Sequence, residues 1–299
     1  MIPGVPDYGV GPTPEPGMPH QLAPGLVRLT APNPGLMTGP GTNTYLIGTT
    51  ELAVIDPGPD DATHRAAILK VGAERGTIRH ILVTHTHIDH APGAAALKVA
   101  TGAEVIGFGP AEQFEPDRRV GEGWTVALPG PPSLTVRAVH TPGHASDHLC
   151  WLIEEQGTLL TGDHVMHGST VVIRPPDGNL AQYRASLARL KAFDPPLRRL
   201  APGHGRVMER IPDIVDALLA HRAGRHARVA QALQDAQVAT VEDLMSVVYA
   251  DVTEQQLPVA RFSLWAHLRD LGASGDALAV DASPGDDTID TQWRWVGQA

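Results

Sequence analysis

Four side chains that can bind metal ions occur within six positions of this chain, in the order His85, His87, Asp89 and His90. Residues 81–83, just before them, are purely aliphatic, so the cluster follows a strand that a domain interior would bury. Polar groups crowded at the end of a buried strand cost roughly a few kcal/mol each unless they find a partner. A cation is the partner that three imidazoles and a carboxylate share, and these donors suit zinc, or less often iron or manganese.

Further residues of the same kind follow short apolar segments elsewhere in the chain. They are Asp56 after 53–55, His144 after 136–139, Asp163 after 159–162 and His204 after 200–203. Strand ends at one edge of a sheet are where a rigid scaffold can direct loop side chains toward a common point. A glycine lies directly before each of the last three, which fits a backbone that must bend sharply there. This repetition argues against the alternative of a solvated histidine-rich loop.

The apolar pattern between these residues predicts alternating strands and helices. Strands are predicted at 26–29, 43–47, 51–55, 80–84, 104–108, 124–128, 134–139, 148–153, 158–160 and 198–201, and helices at 61–74, 92–99 and 180–193. The pattern changes at about residue 211. Beyond it we expect one long helix or a broken pair, then helices at 241–248 and 258–271, and a hairpin joining 277–280 to 293–296. Thr240 is the expected N-cap of the helix at 241–248.

The order of these motifs, His85-x-His87-x-Asp89-His90 and then His144, Asp163 and His204, resembles the metallo-β-lactamase superfamily over roughly residues 22–210. The resemblance implies an α/β fold, a four-layer αββα sandwich with a small, mainly helical winged-helix-like C-terminal domain. Within the superfamily, the chain resembles the lactamase-like or glyoxalase II-like hydrolases that carry a C-terminal winged-helix module. We expect an extended Pro/Gly-rich lead-in at 1–24, a catalytic domain at 25–210 and the C-terminal domain at 211–299.

The resemblance also implies a dinuclear site with two zinc ions per chain, iron and manganese being the other metals considered. One ion would be bound by His85, His87 and His144, the second by Asp89, His90 and His204, with Asp163 bridging both. Two such ions share a hydroxide and bring its pKa toward neutrality. Asp89 is also the expected catalytic residue, because it could orient the nucleophile or protonate the leaving group.

Other polar residues lie near these motifs. Asp56 is expected behind the metal ligands, although its position before Pro-Gly also suits a plain turn. The sequence leaves open whether His164 and His167 contact the substrate or the ligands. His148 and Tyr183 are expected to be structural.

Three activities are compatible with this site. The first is hydrolysis of a small ester, thioester or lactone by a metal-bridging hydroxide. The second is an endoribonuclease or phosphodiesterase acting on single-stranded RNA, and the third is a mononuclear iron persulfide dioxygenase using His85, His144 and Asp163.

Charge favours the small-molecule substrate over nucleic acid. The formal net charge is -10, and residues 211–299 contain six arginines, no lysines and thirteen acidic residues. A winged helix that grips nucleic acid should be basic. We therefore expect this module to close the active-site cleft or to form a homodimer. The nuclease is kept only as an alternative, because metals can anchor a phosphodiester themselves.

The sequence also bears on location. Residues 1–24 lack the basic and apolar regions of a secretory signal, and no run approaches 18 apolar residues. We therefore expect a cytoplasmic protein with no membrane span. The one cysteine, Cys150, lies between Leu149 and Trp151 and is expected in a buried strand.

Overall fold

The structure is a computed structural model that describes residues 7–111, 114–280, 282–283 and 285–297. Contacts divide the chain into two compact units. The described part of the first unit runs to residue 141 and includes 147–171 and 189–214. The second unit contains 142–146, 172–188 and 215 onward.

The first unit is built on short strands, numbered here in chain order. They are β1 Gly9–Val10, β2 His20–Ala23, β3 Leu26–Thr30, β4 Asn43–Ile47, β5 Glu51–Ile55, β6 Thr77–Leu82, β7 Glu104–Gly107, β8 Arg118–Arg119, β9 Thr125–Leu128, β10 Leu134–His140, β11 Leu149–Ile153, β12 Thr158–Gly162, β13 Arg199–Pro202 and β14 Val207–Met208. One seven-stranded sheet has the order β2 to β8, and the other has the order β1-β14-β13-β12-β11-β10-β9. β1 and β2, both from the lead-in, are therefore edge strands.

Two parallel pairs in these sheets matter for the site. β5 and β6 run parallel in one sheet, and β12 and β13 run parallel in the other. The carboxyl ends of parallel neighbours lie at the same edge of a sheet. Each pair therefore delivers two following loops to one edge.

The two sheets bury one face each in a shared core. Tyr45, Ile55 and Leu82 from one sheet belong to the same apolar cluster as Val136 and Trp151 from the other. Each such side chain contributes roughly 1.5–3 kcal/mol when it is fully buried. This core fixes the strand registers, because a shift by one residue would turn every apolar side chain to the opposite face.

Two helices cover the other face of the β2–β8 sheet: α1 Ala62–Ala73 and α2 Gly93–Thr101. They contribute Ile68 and Leu97 to a second apolar cluster on that face. α1 begins where Asp61 Oδ1 accepts a hydrogen bond from the His64 backbone N–H at 2.7 Å. α2 ends at Gly102, whose φ of 72° suits glycine.

The second unit is mainly helical. Its elements are α3 Leu180–Arg189, α4 Ile211–Ala236, α5 Val241–Val248, α6 Leu257–Ser274, β15 Val238–Ala239, β16 Ala277–Ala279 and β17 Trp293–Trp295. Arg189 and the first turn of α4 are counted with the first unit. The three strands form a small antiparallel sheet in the order β15-β17-β16.

The expected capping of α5 is confirmed. Thr240 Oγ1 accepts from the Asp243 backbone N–H, and the Asp243 carboxylate accepts from the Thr240 backbone N–H at 2.8 Å. The predicted hairpin is also confirmed, and the segment that starts at 211 is a single helix rather than a broken pair. These features are local, which is why the sequence predicts them.

The structure departs from the predicted elements where the local signal is short. The helix expected at 180–193 ends at Arg189 and is followed by one 3-10 turn at Leu190–Ala192. Asp194-Pro195 follows closely, and a residue before proline disfavours helical backbone. β1, β2, β8, β14 and β15 are not predicted either. Four of these five have only two residues, too few to show alternation.

Candidate metal centre

The predicted ligands of the first unit follow the ends of its parallel strand pairs. Asp56 comes directly after β5, and the cluster that begins at His85 comes shortly after β6. Asp163 follows β12 and His204 follows β13 in the same way. The two sheets pack face to face, so these loops meet at one end of the sandwich.

Asp56 is the buried acceptor behind the cluster. Its carboxylate accepts hydrogen bonds from Thr84 N–H and Thr84 Oγ1, each at 2.7 Å, and from His90 Nδ1 at 2.8 Å. An ionised carboxylate only accepts, so Nδ1 of His90 carries the proton and Nε2 is the nitrogen that can bind an ion. Asp56 adopts a φ of 47°, which is costly for a residue with a side chain. Its position behind the ligands matches the expectation from the sequence.

Two carboxylates and two imidazoles meet around one point. Asp89 Oδ2 lies 3.2 Å from His204 Nε2 and 3.4 Å from His90 Nε2. Asp163 Oδ1 lies 3.3 Å and 3.5 Å from the same two nitrogens. Two ligand groups, His85–His90–Asp163 and Asp89–His90–His204, each have ligand atoms within 4.8 Å of one another.

His87 joins this cluster through its neighbour. His87 Nδ1 lies 3.0 Å from His85 Nε2, and the two rings are 4.5 Å apart in a T-shaped arrangement. The structure thus brings together six of the seven predicted ligands within the first unit.

The electrostatics of the cluster fit a cation. Burial would lower the pKa of His90, but the carboxylates of Asp89, Asp163 and Asp56 raise it well above its usual value. Burial would also lower the pKa of His204, but the carboxylate of Asp163 raises that pKa to about 9. The pKa of Asp163 falls well below its usual range against its own burial, because His204 and His90 lie beside it.

These carboxylates therefore favour positive charge at a point where His90 Nε2 is buried and, among the described residues, has no hydrogen-bond partner. A metal ion supplies that charge and binds the nitrogen directly.

His85 has the opposite electrostatic character. Burial lowers the pKa of His85 well below its usual value, and the imidazoles of His90, His87 and His148 lower it further. A neutral imidazole keeps the lone pair that a metal ion needs. Thr84 Oγ1, 3.0 Å from His85 Nδ1, fixes the ring orientation.

His144, the seventh predicted ligand, lies in residues 142–146 of the second unit. Its Nδ1 donates to the carbonyl of Val172 at 2.7 Å, so Nε2 is the nitrogen that can bind an ion. The turn is held by the Asn179 N–H, which donates to the Gly143 carbonyl at 2.8 Å. Gly143 has a φ of 140°, and a Cβ there would lie 2.3 Å from the backbone of Tyr183.

Glycine is required beside the cluster for close approach. A Cβ at Gly203 would lie 2.7 Å from His90 Cε1 and 2.8 Å from Asp163 Oδ1. A Cβ at Gly162 would lie 2.7 Å from Thr84 Oγ1, and Gly162 also has a φ of 45°. Larger residues would therefore displace the ligand atoms themselves.

The neighbouring polar residues have mostly structural contacts. His148 Nε2 accepts from the Asp163 backbone N–H at 3.2 Å, which holds the Asp163 loop. His164 is fully buried and belongs to neither ligand group described above. His167 Nε2 donates to Asp7 Oδ1 at 2.7 Å. Tyr183 is buried, as expected for a structural residue.

Sequence reasoning missed three residues at the site. Thr84 orients His85 and binds Asp56, and Thr42 Oγ1 lies 3.5 Å from Asp89 Oδ2. Thr84 stands directly before the histidine cluster, so its place in the motif could have marked it. Asp7 comes close to His167 only through tertiary structure.

Comparisons with known proteins agree with this geometry. The family model described as the metallo-beta-lactamase superfamily matches residues 37–204. The model of the beta-lactamase associated winged helix domain matches residues 240–285.

Curated relatives extend the match. Lactamase-like protein vrtG of Penicillium aethiopicum is 39% identical over 226 residues, covering 71% of this chain and 67% of that protein. Atrochrysone carboxyl ACP thioesterase of Aspergillus fumigatus is 35% identical over 222 residues, covering 72% of this chain and 67% of that protein. A beta-lactamase domain protein from Burkholderia ambifaria has a similar structure, with a TM-score of 0.79, 21% identity and 97% coverage of both chains.

The chain belongs to the metallo-β-lactamase superfamily and is a hydrolase of that fold. It carries the β-lactamase-associated winged helix as its C-terminal domain. The predicted fold class is therefore confirmed. In the described residues, every helix is too short or too polar to cross a membrane.

Proposed function

We propose that this chain is a thioester hydrolase that depends on two metal ions, with zinc as the expected metal. His85, His87 and His144 would hold one ion, Asp89, His90 and His204 would hold the second, and Asp163 would be shared by both. The substrate is a small molecule.

The observation that carries this proposal is the convergence of Asp89 and Asp163 on the Nε2 atoms of His90 and His204, at 3.2–3.5 Å. The donors are imidazole nitrogens and carboxylate oxygens, the set that zinc binds at open catalytic sites. Seven donors exceed the four that close a structural zinc site, which supports a catalytic pair.

The choice of a thioester rests on the relatives. Several are named as atrochrysone carboxyl ACP thioesterases. A thiolate is also a good leaving group, because thiols have a pKa of about 8.5 and leave without a strong acid beside them. Esters and lactones leave an alkoxide, which needs a proton.

The ions, when bound, supply Lewis acidity and a water activated near neutral pH. The chain positions the groups around them. Asp56 fixes the ring of His90, and Thr84 fixes the ring of His85. Asp89, whose carboxylate lies beside Thr42 Oγ1, is the residue we assign to orient the attacking water.

The experiment is metal analysis combined with a thiol-release assay on acyl thioesters. We expect close to two zinc ions per chain and loss of activity on chelation. Asp89→Asn should strongly lower turnover and retain much of the metal. Asp60→Asn is the matched control, because Asp60 is exposed and pairs with Arg65 on the surface.

Three outcomes would contradict the proposal. One iron per chain without thioester hydrolysis would favour the persulfide dioxygenase. Cleavage of single-stranded RNA in the absence of thioesterase activity would favour the nuclease. Full activity of Asp89→Asn on every thioester would show that Asp89 does not have the assigned role.

A further inference from the structure

A cavity of about 250 Å³ lies beside the metal cluster within the first unit. His204, a predicted metal ligand, forms part of its wall, so the cavity adjoins the site. The apolar side chains of Leu36, Met37 and Met166 form another part. An engineered apolar cavity of about 150 Å³ binds benzene, so this cavity has room for a group of roughly six to ten carbon atoms.

The loop that carries Leu36 and Met37 is fixed by its own hydrogen bonds. Gly35 and Gly39 exchange backbone hydrogen bonds at 3.1 and 2.8 Å. At the base of the loop, Thr38 Oγ1 donates to the Asn33 carbonyl at 2.6 Å. These bonds hold the backbone of the loop in place.

The same loop is tied to the metal cluster. Asn33 Oδ1 accepts from the Thr42 backbone N–H at 2.9 Å. Thr42 in turn pairs with His204 in a backbone bridge, and its hydroxyl lies beside Asp89. The position of Met37 is thus set relative to the reacting centre.

Leu36 and Met37 remain 55% and 46% exposed despite their size. Large apolar side chains held on a rigid loop beside a concave site are the usual contacts for an apolar ligand group. Methionine in particular adapts its shape to different ligands. The exposure of these two residues marks this wall as a binding surface.

The basic residues of this cavity already have an acidic partner. His167 and Arg206 both line it, and both contact the carboxylate of Asp7. The Gly9 backbone N–H donates to the same carboxylate at 2.8 Å. A Cβ at Gly9 would lie 2.3 Å from His167 Nε2, so glycine lets the lead-in approach this closely.

We propose that this cavity is the acyl subsite and that it selects a neutral, apolar acyl group of roughly six to ten carbons. Met37 and Met166 contact the acyl chain. Asp7 excludes acyl groups with a terminal carboxylate, because it already pairs with Arg206, the cation that would otherwise bind one. The substrate assignment rests on the proposed thioester hydrolysis.

The first test compares acyl chains. We expect kcat/KM to be higher for octanoyl than for acetyl thioesters of N-acetylcysteamine. Met37→Ser should lower kcat/KM for the octanoyl substrate by about 10-fold and leave the acetyl substrate nearly unchanged, because the shorter chain does not reach the side chain. Val99→Ser is the matched control, since Val99 is 88% exposed on α2.

The second test asks whether Asp7 makes the subsite prefer neutral over anionic acyl groups. Asp7→Asn frees His167 and Arg206, so we expect kcat/KM for a glutaryl thioester to rise by about 10-fold relative to the octanoyl one. The double variant Asp7→Asn with Arg206→Gln should lose this gain. An unchanged ratio in Asp7→Asn would show that Asp7 does not set the charge preference.

A third measurement separates this proposal from the proposed activity. Calorimetry measures binding of the non-hydrolysable octyl thioether of N-acetylcysteamine, which needs no turnover. If thioesters are not hydrolysed but the thioether binds and Met37→Ser weakens it, the cavity assignment holds and the activity is wrong. If thioesters are hydrolysed with the same kcat/KM for all chain lengths in wild type and Met37→Ser, the cavity assignment is wrong.

Discussion

Both compact units bury imidazole rings, but the rings have neighbours of opposite charge. In the first unit, His90 and His204 lie against the carboxylates of Asp89 and Asp163, which raise the pKa of both rings. In the second unit, burial lowers the pKa of His267 well below its usual value, and the neighbouring Arg222 and His226 lower it further. The count of histidines is therefore a poor guide to a metal site, and the charge around them is a better one.

In the second unit, the buried guanidinium of Arg225 is paired with a carboxylate of the same unit. Arg225 binds both carboxylate oxygens of Asp251, at 2.8 and 3.1 Å, and its guanidinium lies 4.3 Å from the ring centroid of Tyr249. His226 Nδ1 lies 3.2 Å from His267 Nδ1, so at least one of these rings is neutral. This arrangement contributes to packing, whereas the polar cluster of the first unit has the donors that a metal ion would bind.

The sharpest test exchanges one aspartate in each unit for alanine. Asp163→Ala removes the proposed bridging ligand, so we expect bound metal to fall and thioester turnover to drop by more than about 100-fold. Asp251→Ala leaves Arg225 without its carboxylate partner and should lower the free energy of unfolding by about 1–3 kcal/mol. Its metal content should stay at the wild-type value. Metal analysis and urea denaturation of both variants measure these two effects. Loss of metal from Asp251→Ala as well would contradict the proposed difference between the two units.

A smaller effect is expected at Asp56. Asp56→Asn keeps the size of the side chain but weakens the hydrogen bonds to Thr84 and His90. Loss of such a partner usually costs about 10–100-fold in metal affinity or activity. Competition with a chelator measures the affinity directly. Equal affinities of variant and wild type would show that Asp56 is only a turn residue.

The smallest expected effect concerns His64, a first-unit histidine that resembles those of the second unit. Burial lowers the pKa of His64 to about 4. The folded state thus keeps this ring neutral between pH 6.5 and 4, where the unfolded chain binds a proton. The neutral His64 ring therefore contributes its full stability above pH 6.5. As the pH falls from 7 to 5, we expect the free energy of unfolding to decrease by about 1–2 kcal/mol because of this group.

His64→Gln should flatten this part of the stability profile, because glutamine can still bond Thr44 without titrating. Denaturation at several pH values measures it. An equally steep profile in the variant would assign the acid sensitivity to other groups.

Several features of the fold were predictable because their signals are local. α1, α2 and α5 follow the periodicity of their own residues and their own caps, and Thr240 marks the start of α5. The superfamily and the winged helix were also predictable, because motif order is a property of the chain. Zinc as the metal, the dinuclear site and the cytoplasmic location stay predictions.

The rest depends on long-range contacts. β1 pairs with β14 across nearly two hundred residues, and two residues are too few to show a strand pattern. His148 is one of many histidines in the sequence, and its contact with the Asp163 backbone identifies its role.

The sequence by itself determined which side chains could bind metal and that each follows a strand, because donor chemistry and alternating hydrophobicity are carried by adjacent residues. The tertiary structure alone decided how charge is arranged around them. Asp7 contacts His167 and Arg206, although it is far from both of them in the sequence. Asp56 comes behind His90 only because β5 and β6 lie side by side in parallel. Hydrogen bonds and ion pairs form between neighbours in space, and no local pattern records which neighbours those are.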